Sequence, residues 1–363
     1  MLFTALTNNA VTTATYNFTP STAGAPVYPA VLSGPPTTPG SRPSISTLSP
    51  DLERPEIYMG DLTVARAVGR TMTVSASYLY SKGKKLPIFI DTNISAPNAS
   101  VTYLASGQSL GTFPFFRGAR PDTGIGRAID VRSAAESQYH GLVLQAQRRF
   151  SGGLLFDVNY TLSKSTDNGQ NSTTFIANNS SIVNPFDLAA EEGPSLFDRR
   201  HRLVASFHYA PSYLKGFQIG GIGTFESGLP VTATIAGGVA AATGATDTSS
   251  TNGSGGDLRA PFESRNRYRG TGRKTIDLRV SKSFSIGGRR QLVALWEGFN
   301  VFNWVNYTNF PSVKYRVSSS SYDAASNTVT ANLTQDSGFL VPNQASNTLY
   351  GPRDMQIGLK VLW

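Results

Sequence analysis

The chain has 363 residues, of which 39% are hydrophobic and 15% charged, with 35 Gly, 21 Pro, no Cys and a formal net charge of +9. The missing cysteines exclude a disulfide framework and thiolate metal centres. No run of about 18 apolar residues occurs, which excludes helical membrane spans but not membrane strands, whose hydropathy signal alternates.

Low charge with abundant Ser, Thr, Asn and Gly suits strands that keep one face in water. No segment carries a sustained 3.6-residue apolar stripe. The basic residues are scattered through strand and turn positions, without a Lys/Arg-rich helix or an RNA-binding signature, so no nucleic-acid partner is expected.

Met1–Leu6 has no basic n-region and its apolar run stops after six residues, so it does not read as a signal peptide. Residues 1–50 form a polar, loop-rich segment punctuated by Pro35-Pro36 and Pro39-Gly40, with one short strand expected near Val11–Phe18. Residues 51–363 then repeat one unit: a strand of about ten residues, a tight polar turn, a second strand and a long polar excursion.

The first pair is Tyr58–Ala67 and Thr71–Ser81, where Met72, Val74, Ala76, Tyr78 and Tyr80 share a face. The second is Tyr139–Phe150 and Leu154–Lys164, joined by Ser151-Gly152-Gly153. Here Leu154, Phe156, Val158, Tyr160 and Leu162 oppose Asp157, Asn159, Thr161 and Ser163. The third is Arg202–Tyr209 and Phe217–Ser227, followed by a low-complexity stretch over 236–256 expected to be an exposed flexible loop. The fourth is Thr275–Ile286 and Arg290–Asn303, whose second strand is apolar on both faces near 293–302 and is a candidate for a bulge.

The chain ends on Met355-Gln-Ile-Gly-Leu-Lys-Val-Leu-Trp363. Met355, Ile357, Leu359, Val361 and Trp363 fall on one strand face, while Gln356, Gly358 and Lys360 fall on the other. A terminus flush on an aromatic strand is how bacterial outer-membrane barrels close. Ile357, Leu359, Val361 and Trp363 are therefore the expected elements of strand closure and of recognition by the barrel assembly machinery.

Short turns alternating with excursions of about 35–50 residues match a barrel with short periplasmic turns and long extracellular loops; a soluble sandwich has turns every 8–12 residues. Aromatics at strand ends, among them Tyr78, Tyr80, Tyr160, Phe207, Tyr209 and Trp363, fit interfacial girdles. The expected fold class is all-β: an antiparallel transmembrane barrel with about 9–11 strands present. The strand count suits either a small barrel or the last part of a larger one. A small stand-alone porin or adhesin-like barrel, or a soluble β-rich surface protein, are the alternatives.

Several motifs together resemble one family. Tyr160-Thr-Leu-Ser-Lys-Ser, Asn184-Pro-Phe-Asp187 and Gly193-Pro-Ser-Leu-Phe-Asp-Arg-Arg-His-Arg-Leu203-Val come first. Phe225-Glu-Ser-Gly-Leu-Pro230, Asn300-Val-Phe-Asn303, Asn306-Tyr-Thr-Asn-Phe310 and Arg353-Asp-Met-Gln-Ile-Gly-Leu-Lys360 follow. Their order and spacing over about 210 residues resemble the C-terminal barrel of TonB-dependent receptors of the Oar-like, acidobacterial type.

The resemblance implies the C-terminal portion of a 22-strand barrel in the bacterial outer membrane, bounded by phospholipid and lipopolysaccharide. It implies uptake of a bulky nutrient (an oligosaccharide, a peptide or a metal chelate) energised by the TonB complex through a plug. Neither plug nor signal peptide is expected within these residues, so the chain reads as part of a longer receptor. The specific ligand, and the residues that bind it, are not legible.

No catalytic, cofactor or metal site is expected. Asp198-Arg199-Arg200-His201-Arg202 with Ser206 offers the residue types of a triad but no nucleophile elbow; the motif reads as a structural junction in which Asp198 pairs with nearby arginines. Gly270-Thr-Gly-Arg-Lys-Thr275 fails Walker A spacing. Asp167-Asn168-Gly169 reads as a turn, and Glu191-Glu192 as a solvated loop that could meet a ligand.

Overall fold

The computed structural model of the chain describes residues 29, 44–118, 120–169, 182–237, 239, 259–345 and 351–363. The strand expected near Val11–Phe18 and most of the 236–256 stretch lie outside them. In chain order the strands are β1 (Ile45–Leu48), β2 (Glu56–Val68), β3 (Met72–Asp91), β4 (Ala99–Ala105), β5 (Gln108–Phe115), β6 (Ala128–Ser151) and β7 (Leu154–Asp167). Next come β8 (Gly193–Pro194), β9 (His201–Tyr209), β10 (Phe217–Glu226), β11 (Pro230–Val231), β12 (Thr234–Ala236) and β13 (Tyr268–Arg269). The last are β14 (Arg273–Ser285), β15 (Gln291–Phe299), β16 (Tyr307–Asn309), β17 (Val313–Asp323), β18 (Thr328–Gln335), β19 (Gln344–Ala345) and β20 (Asp354–Leu362).

Nine of these form one meander, in the order β2-β3-β6-β7-β9-β10-β14-β15-β20, and every pairing along it is antiparallel. The four short connections fall at one end. Gly69 (φ +64°) serves the first, and Gly152 (φ +61°) with Gly153 (φ +80°) the second. A Cβ on Gly153 would meet the Ala210 carbonyl oxygen at 2.8 Å, so the adjoining turn packs directly on it. The four long connections fall at the other end.

Register carries the two-residue alternation across the whole sheet. Val64, Ala76, Leu144, Tyr160, Leu203 and Phe225 are successive cross-strand partners on one face. Ser75, Gln145, Asn159, Val204, Thr224 and Thr275 are partners on the opposite face. Because pairing is continuous, the parity of one strand fixes that of its neighbours. β15 pairs with both neighbours without a register shift over Gln291–Phe299, and the irregularity considered there falls just beyond it, where the Val301 N–H, not that of Asn300, donates to the Ile276 oxygen and Asn300 takes φ +46°.

The apolar face is bare. Ile357 is 84% exposed, Leu359 73% and Trp363 92%, and Leu62, Val64, Leu144 and Leu162 join them in a continuous band. A sheet that leaves such a band uncovered is made for an apolar solvent. From Leu154 to Leu162 the band spans about 26 Å along the strand, or roughly 20 Å of membrane normal at the ~40° tilt of such sheets.

Two strands are longer than the sequence pattern indicated. β3 runs to Asp91 and β6 begins at Ala128, because they stay paired through Ile88↔Arg132 and Ile90↔Asp130, above a register shift at Gly83–Pro87. Gly and Pro there mark a bulge within a ladder rather than its end. β1 adds to this extension in parallel, Ile45 facing Ala128.

The long connections are not open loops. β12, β17, β18, β4 and β5 form a second five-stranded sheet assembled from three of them. Its principal core unites Val101, Tyr103, Phe115, Ile235, Tyr315, Val329 and Leu333, all buried. Val239, from the stretch expected to be flexible, is buried in the same cluster, because that stretch supplies an apolar edge to the cap before its low-complexity part. Among the described residues no α-helix occurs.

The two faces make opposite demands on a charge. Leu144→Arg, at mid-band, is expected to lower folding stability in bilayers by about 2–4 kcal/mol, whereas Gln145→Arg on the opposite face should cost under about 1 kcal/mol. Urea titration of the folded, unheated gel band in lipid vesicles reads both; equal losses would contradict this facing.

Candidate functional site

The long-loop end concentrates the buried charge of the molecule. Glu226, at the top of β10, faces Arg202 on β9 and Arg273 on β14 in register. Its carboxylate takes Arg202 Nε at 2.9 Å, Arg199 Nη1 at 3.0 Å and Arg273 Nη2 at 3.1 Å. One carboxylate thus holds three guanidinium groups together on the polar face.

Asp198 lies beside this hub and is buried. It pairs closely with Arg269, accepts the Ser165 backbone N–H at 2.7 Å and has Arg200 at 3.9 Å. Arg269 also donates to the backbone oxygens of Asp198 and Gly228 at 2.8 and 3.2 Å. The Asp198–Arg202 motif therefore stitches the tops of β7, β9 and β10 to the connection between β10 and β14.

His201 stands on the other face. Its Nδ1 shares a hydrogen bond of 2.8 Å with the Tyr160 hydroxyl, and the two rings stack. Ser206 points to the polar face, about 16 Å further along the strand. Asp198, His201 and Ser206 are thus not brought together. Tyr78 and His140 form a second Tyr–His pair on the apolar face at 2.6 Å.

The other long connections are clamped likewise. Arg259 binds Glu191 and donates to the Ala190 oxygen at 2.7 Å, both side chains buried. Glu191 is consequently occupied, while Glu192 borders a separate hollow near Lys82 and Asn168. Arg265 pairs with Asp167 and donates to the Gly169 oxygen at 2.8 Å. Asp167 Oδ1 also accepts the Gly169 N–H at 3.0 Å, closing that turn. Breaking such a buried pair by neutralising one partner costs about 3–5 kcal/mol, since the other charge is left uncompensated.

Between these clamps lies a cavity of about 440 Å³, bordered by Arg199, Thr232, Asn266, Arg273, Asn309 and Phe310. Hydroxyls, amides, two arginines and an aromatic face suit a polar, hydrogen-bonding guest. On the apolar side a second hollow of about 560 Å³ carries Tyr160, His201, Leu203, Phe225 and Lys274. Lys274 lies 5.0 Å over the Trp304 ring, and Arg273 turns inward to Glu226, so the glycine-basic segment starts a strand. Among the described residues no three His, Cys, Asp or Glu gather as metal ligands.

Ile357, Leu359 and Val361 lie on the apolar face of β20, opposite Trp296, Ala294 and Leu292, with Trp363 just beyond. The Glu226 hub escaped the sequence reading. Its signal was available in hindsight: Arg202, Glu226 and Arg273 share polar-face parity at the tops of three consecutive strands.

Residues 2–339 match the family described as the outer membrane beta barrel domain. No protein of curated function matches the chain. Among solved structures it is similar to the outer membrane transporter YddB from Escherichia coli, with 9% identity, a TM-score of 0.42, and coverage of 74% of this chain and 31% of that one. The FrpB iron transporter from Neisseria meningitidis gives 14% identity and a TM-score of 0.42 over 88% of this chain and 33% of that one. P. aeruginosa FpvA bound to a heterologous pyoverdine gives 10% identity and a TM-score of 0.41 over 86% and 28%. The chain thus spans about a third of the length of these structures.

One further clamp, in the cap, is pH-sensitive. Lys314 on β17 donates to Glu263 Oε1 at 2.6 Å and to the Tyr268 hydroxyl, and Tyr315 donates to the same carboxylate at 2.8 Å. Burial pushes the Glu263 carboxyl up, but hydrogen bonds from Lys314, Tyr268 and Tyr315 outweigh it and hold the group below the ordinary carboxylate range. Burial pulls the Lys314 ammonium down, but hydrogen bonds to Glu263, Tyr268 and Tyr315 outweigh it and hold the group above its usual value. A lowered carboxylate stabilises fully above its unfolded value and loses that contribution as pH falls through the folded one; a raised ammonium loses its contribution only in strong alkali. The cap is therefore expected to loosen in acid. Hydrogen exchange of β17 amides, corrected for intrinsic rates, should speed up below about pH 4, and Glu263→Gln should abolish that step; an unchanged profile in the variant would exclude this clamp as the cause.

The bare apolar band, the short-turn and long-loop ends and the match over residues 2–339 agree: the chain belongs to the outer membrane beta barrel domain family and is a protein of the bacterial outer membrane.

Proposed function

We propose that the chain is the C-terminal barrel portion of a TonB-dependent receptor of the Oar-like type, serving uptake of a bulky nutrient such as an oligosaccharide, a peptide or a metal chelate. The observation that carries this reading is the strand count. Among the described residues, nine strands in an all-antiparallel path leave β2 and β20 at its two ends, running in the same direction. Pairing them with each other would make a parallel seam, so antiparallel closure needs an odd number of further strands. A 22-strand barrel supplies thirteen. One further strand, such as that expected near Val11–Phe18, would meet the same parity, so the count excludes only closure of these nine strands on themselves.

The motif series over 160–360 supports the family reading, and the folded loop cap with its polar cavity supports capture of a hydrogen-bonding solute at the extracellular end. In this reading the chain carries no catalysis. Energy enters through a plug and the TonB complex, and the wall and cap are scaffold and conduit. The outward row Ile357, Leu359, Val361 and Trp363 is the element the assembly machinery engages, followed by closure of β20 onto the first strand of the receptor.

An antibody to residues 354–363, used on fractionated source cells, should detect an outer-membrane protein much heavier than 38.8 kDa. A membrane band at 38.8 kDa would instead favour a small barrel. Trp363→Ser should reduce outer-membrane insertion sharply, and unchanged insertion would contradict the assembly role.

A further inference from the structure

The net charge of +9 is not spread over the molecule; the fold gathers it at one end. The segments 64–74, 144–156, 205–219, 280–294 and 359–363 form the short-turn, periplasmic rim. They hold nine cations, Arg66, Arg70, Arg148, Arg149, Lys215, Lys282, Arg289, Arg290 and Lys360, and no Asp or Glu, with Asp157 just above them, opposite Gln147 and Ser206 on the polar face. The other 23 of the 32 Lys and Arg balance the 23 Asp and Glu.

Pairing follows the same division. Fifteen ion pairs form among the described residues, and none includes a rim cation. Two rim cations meet only neutral carbonyls: Arg148 donates to Ser151 O at 3.1 Å, and Lys282 to Leu214 and Lys215 O at 3.2 and 2.7 Å. Among the described residues, fourteen cations elsewhere in the chain pair with a carboxylate and none of these nine does, which leaves them for an anion outside the chain.

Their placement says which anion. Arg66, Arg148 and Lys282 share the lipid-facing parity, in register with Val74, Phe156 and Ala294. Stems in that position lie along hydrocarbon while the charged heads reach the interface. Arg70, Lys215, Arg289 and Arg290 are exposed in the turns just beyond, level with Tyr209, Phe284 and Trp363 at the lower edge of the apolar band. Aromatic rings and unpaired cations at one depth match the phosphate layer of a bilayer.

We propose that this rim binds anionic phospholipid headgroups of the periplasmic leaflet, forming a phosphate-binding collar around the short-turn end. The inference rests on the placement in the outer membrane and not on the receptor reading.

The test uses the full chain in phosphatidylcholine vesicles containing a minor fraction of either brominated phosphatidylglycerol or brominated phosphatidylcholine. In the W296F/W304F variant, Trp363 alone reports on the rim; in W296F/W363F, Trp304 alone reports on the long-loop end. Trp363 should be quenched about twofold or more strongly by the anionic lipid than by the zwitterionic one, with the excess lost at high salt. The excess should also vanish in a folded R70Q/K215Q/R289Q/R290Q variant, and Trp304 should show none. Equal quenching of Trp363 by both headgroups would overturn the proposal, as would an equal anionic excess at Trp304.

Discussion

A backbone N–H or C=O cannot stay unpaired in hydrocarbon, where no water replaces the lost partner. Everything else in this chain follows from that requirement. It forces neighbouring strands into continuous ladders, and the ladders fix side-chain parity from strand to strand. One row, from Val64 through Leu144 and Tyr160 to Phe225, therefore faces outward without interruption. Polar residues need no special tolerance, because the same rule turns Gln145, Asn159 and Thr275 inward.

Stability is divided between two solvents. The wall keeps few buried apolar residues of its own, since its apolar face is meant for lipid. Among the described residues the largest hydrophobic core lies in the cap, around Tyr103, Phe115 and Val329, where ordinary aqueous burial operates. Between wall and cap lies a belt of charge: Glu226 with three arginines, Asp198 with Arg269, Arg259 with Glu191 and Arg265 with Asp167. Each clamp joins a strand top or long connection to another. A cavity bordered by three long connections thereby holds its shape without an α-helix among the described residues.

How much of this the sequence displayed depends on the range of the interaction. The outward row of β20 was readable from nine residues, because strand alternation is local and the residues are strongly apolar. The short turns were readable from Gly69, Gly152-Gly153 and Gly287-Gly288, since tight reversal demands positive φ. The extensions of β3 and β6 were not, because Gly83 and Pro87 look like loop punctuation when the partner strand is unseen. The cap was hidden for a stronger reason. Ser100 on β4 meets Thr328 on β18, 228 residues away and in parallel, and no local pattern announces such a contact. The arginine clamps were half legible: Asp198 and its neighbours stood out as a motif, whereas Glu226 acquires its role only from the register of three strands.

The central claim is that one parity of the nine-stranded sheet faces lipid and the other faces water. A chain without native cysteine allows a direct measurement. Single substitutions along β7 (Phe156→Cys, Asp157→Cys, Val158→Cys, Asn159→Cys, Tyr160→Cys and Thr161→Cys) would each be spin-labelled in bilayers. Collisions with oxygen, which concentrates in hydrocarbon, would be compared with those of a water-soluble nickel complex. The account expects strict alternation, with oxygen favoured at 156, 158 and 160 and nickel at 157, 159 and 161. Uniform nickel access at all six positions would contradict it, because both faces of the sheet would then lie in water.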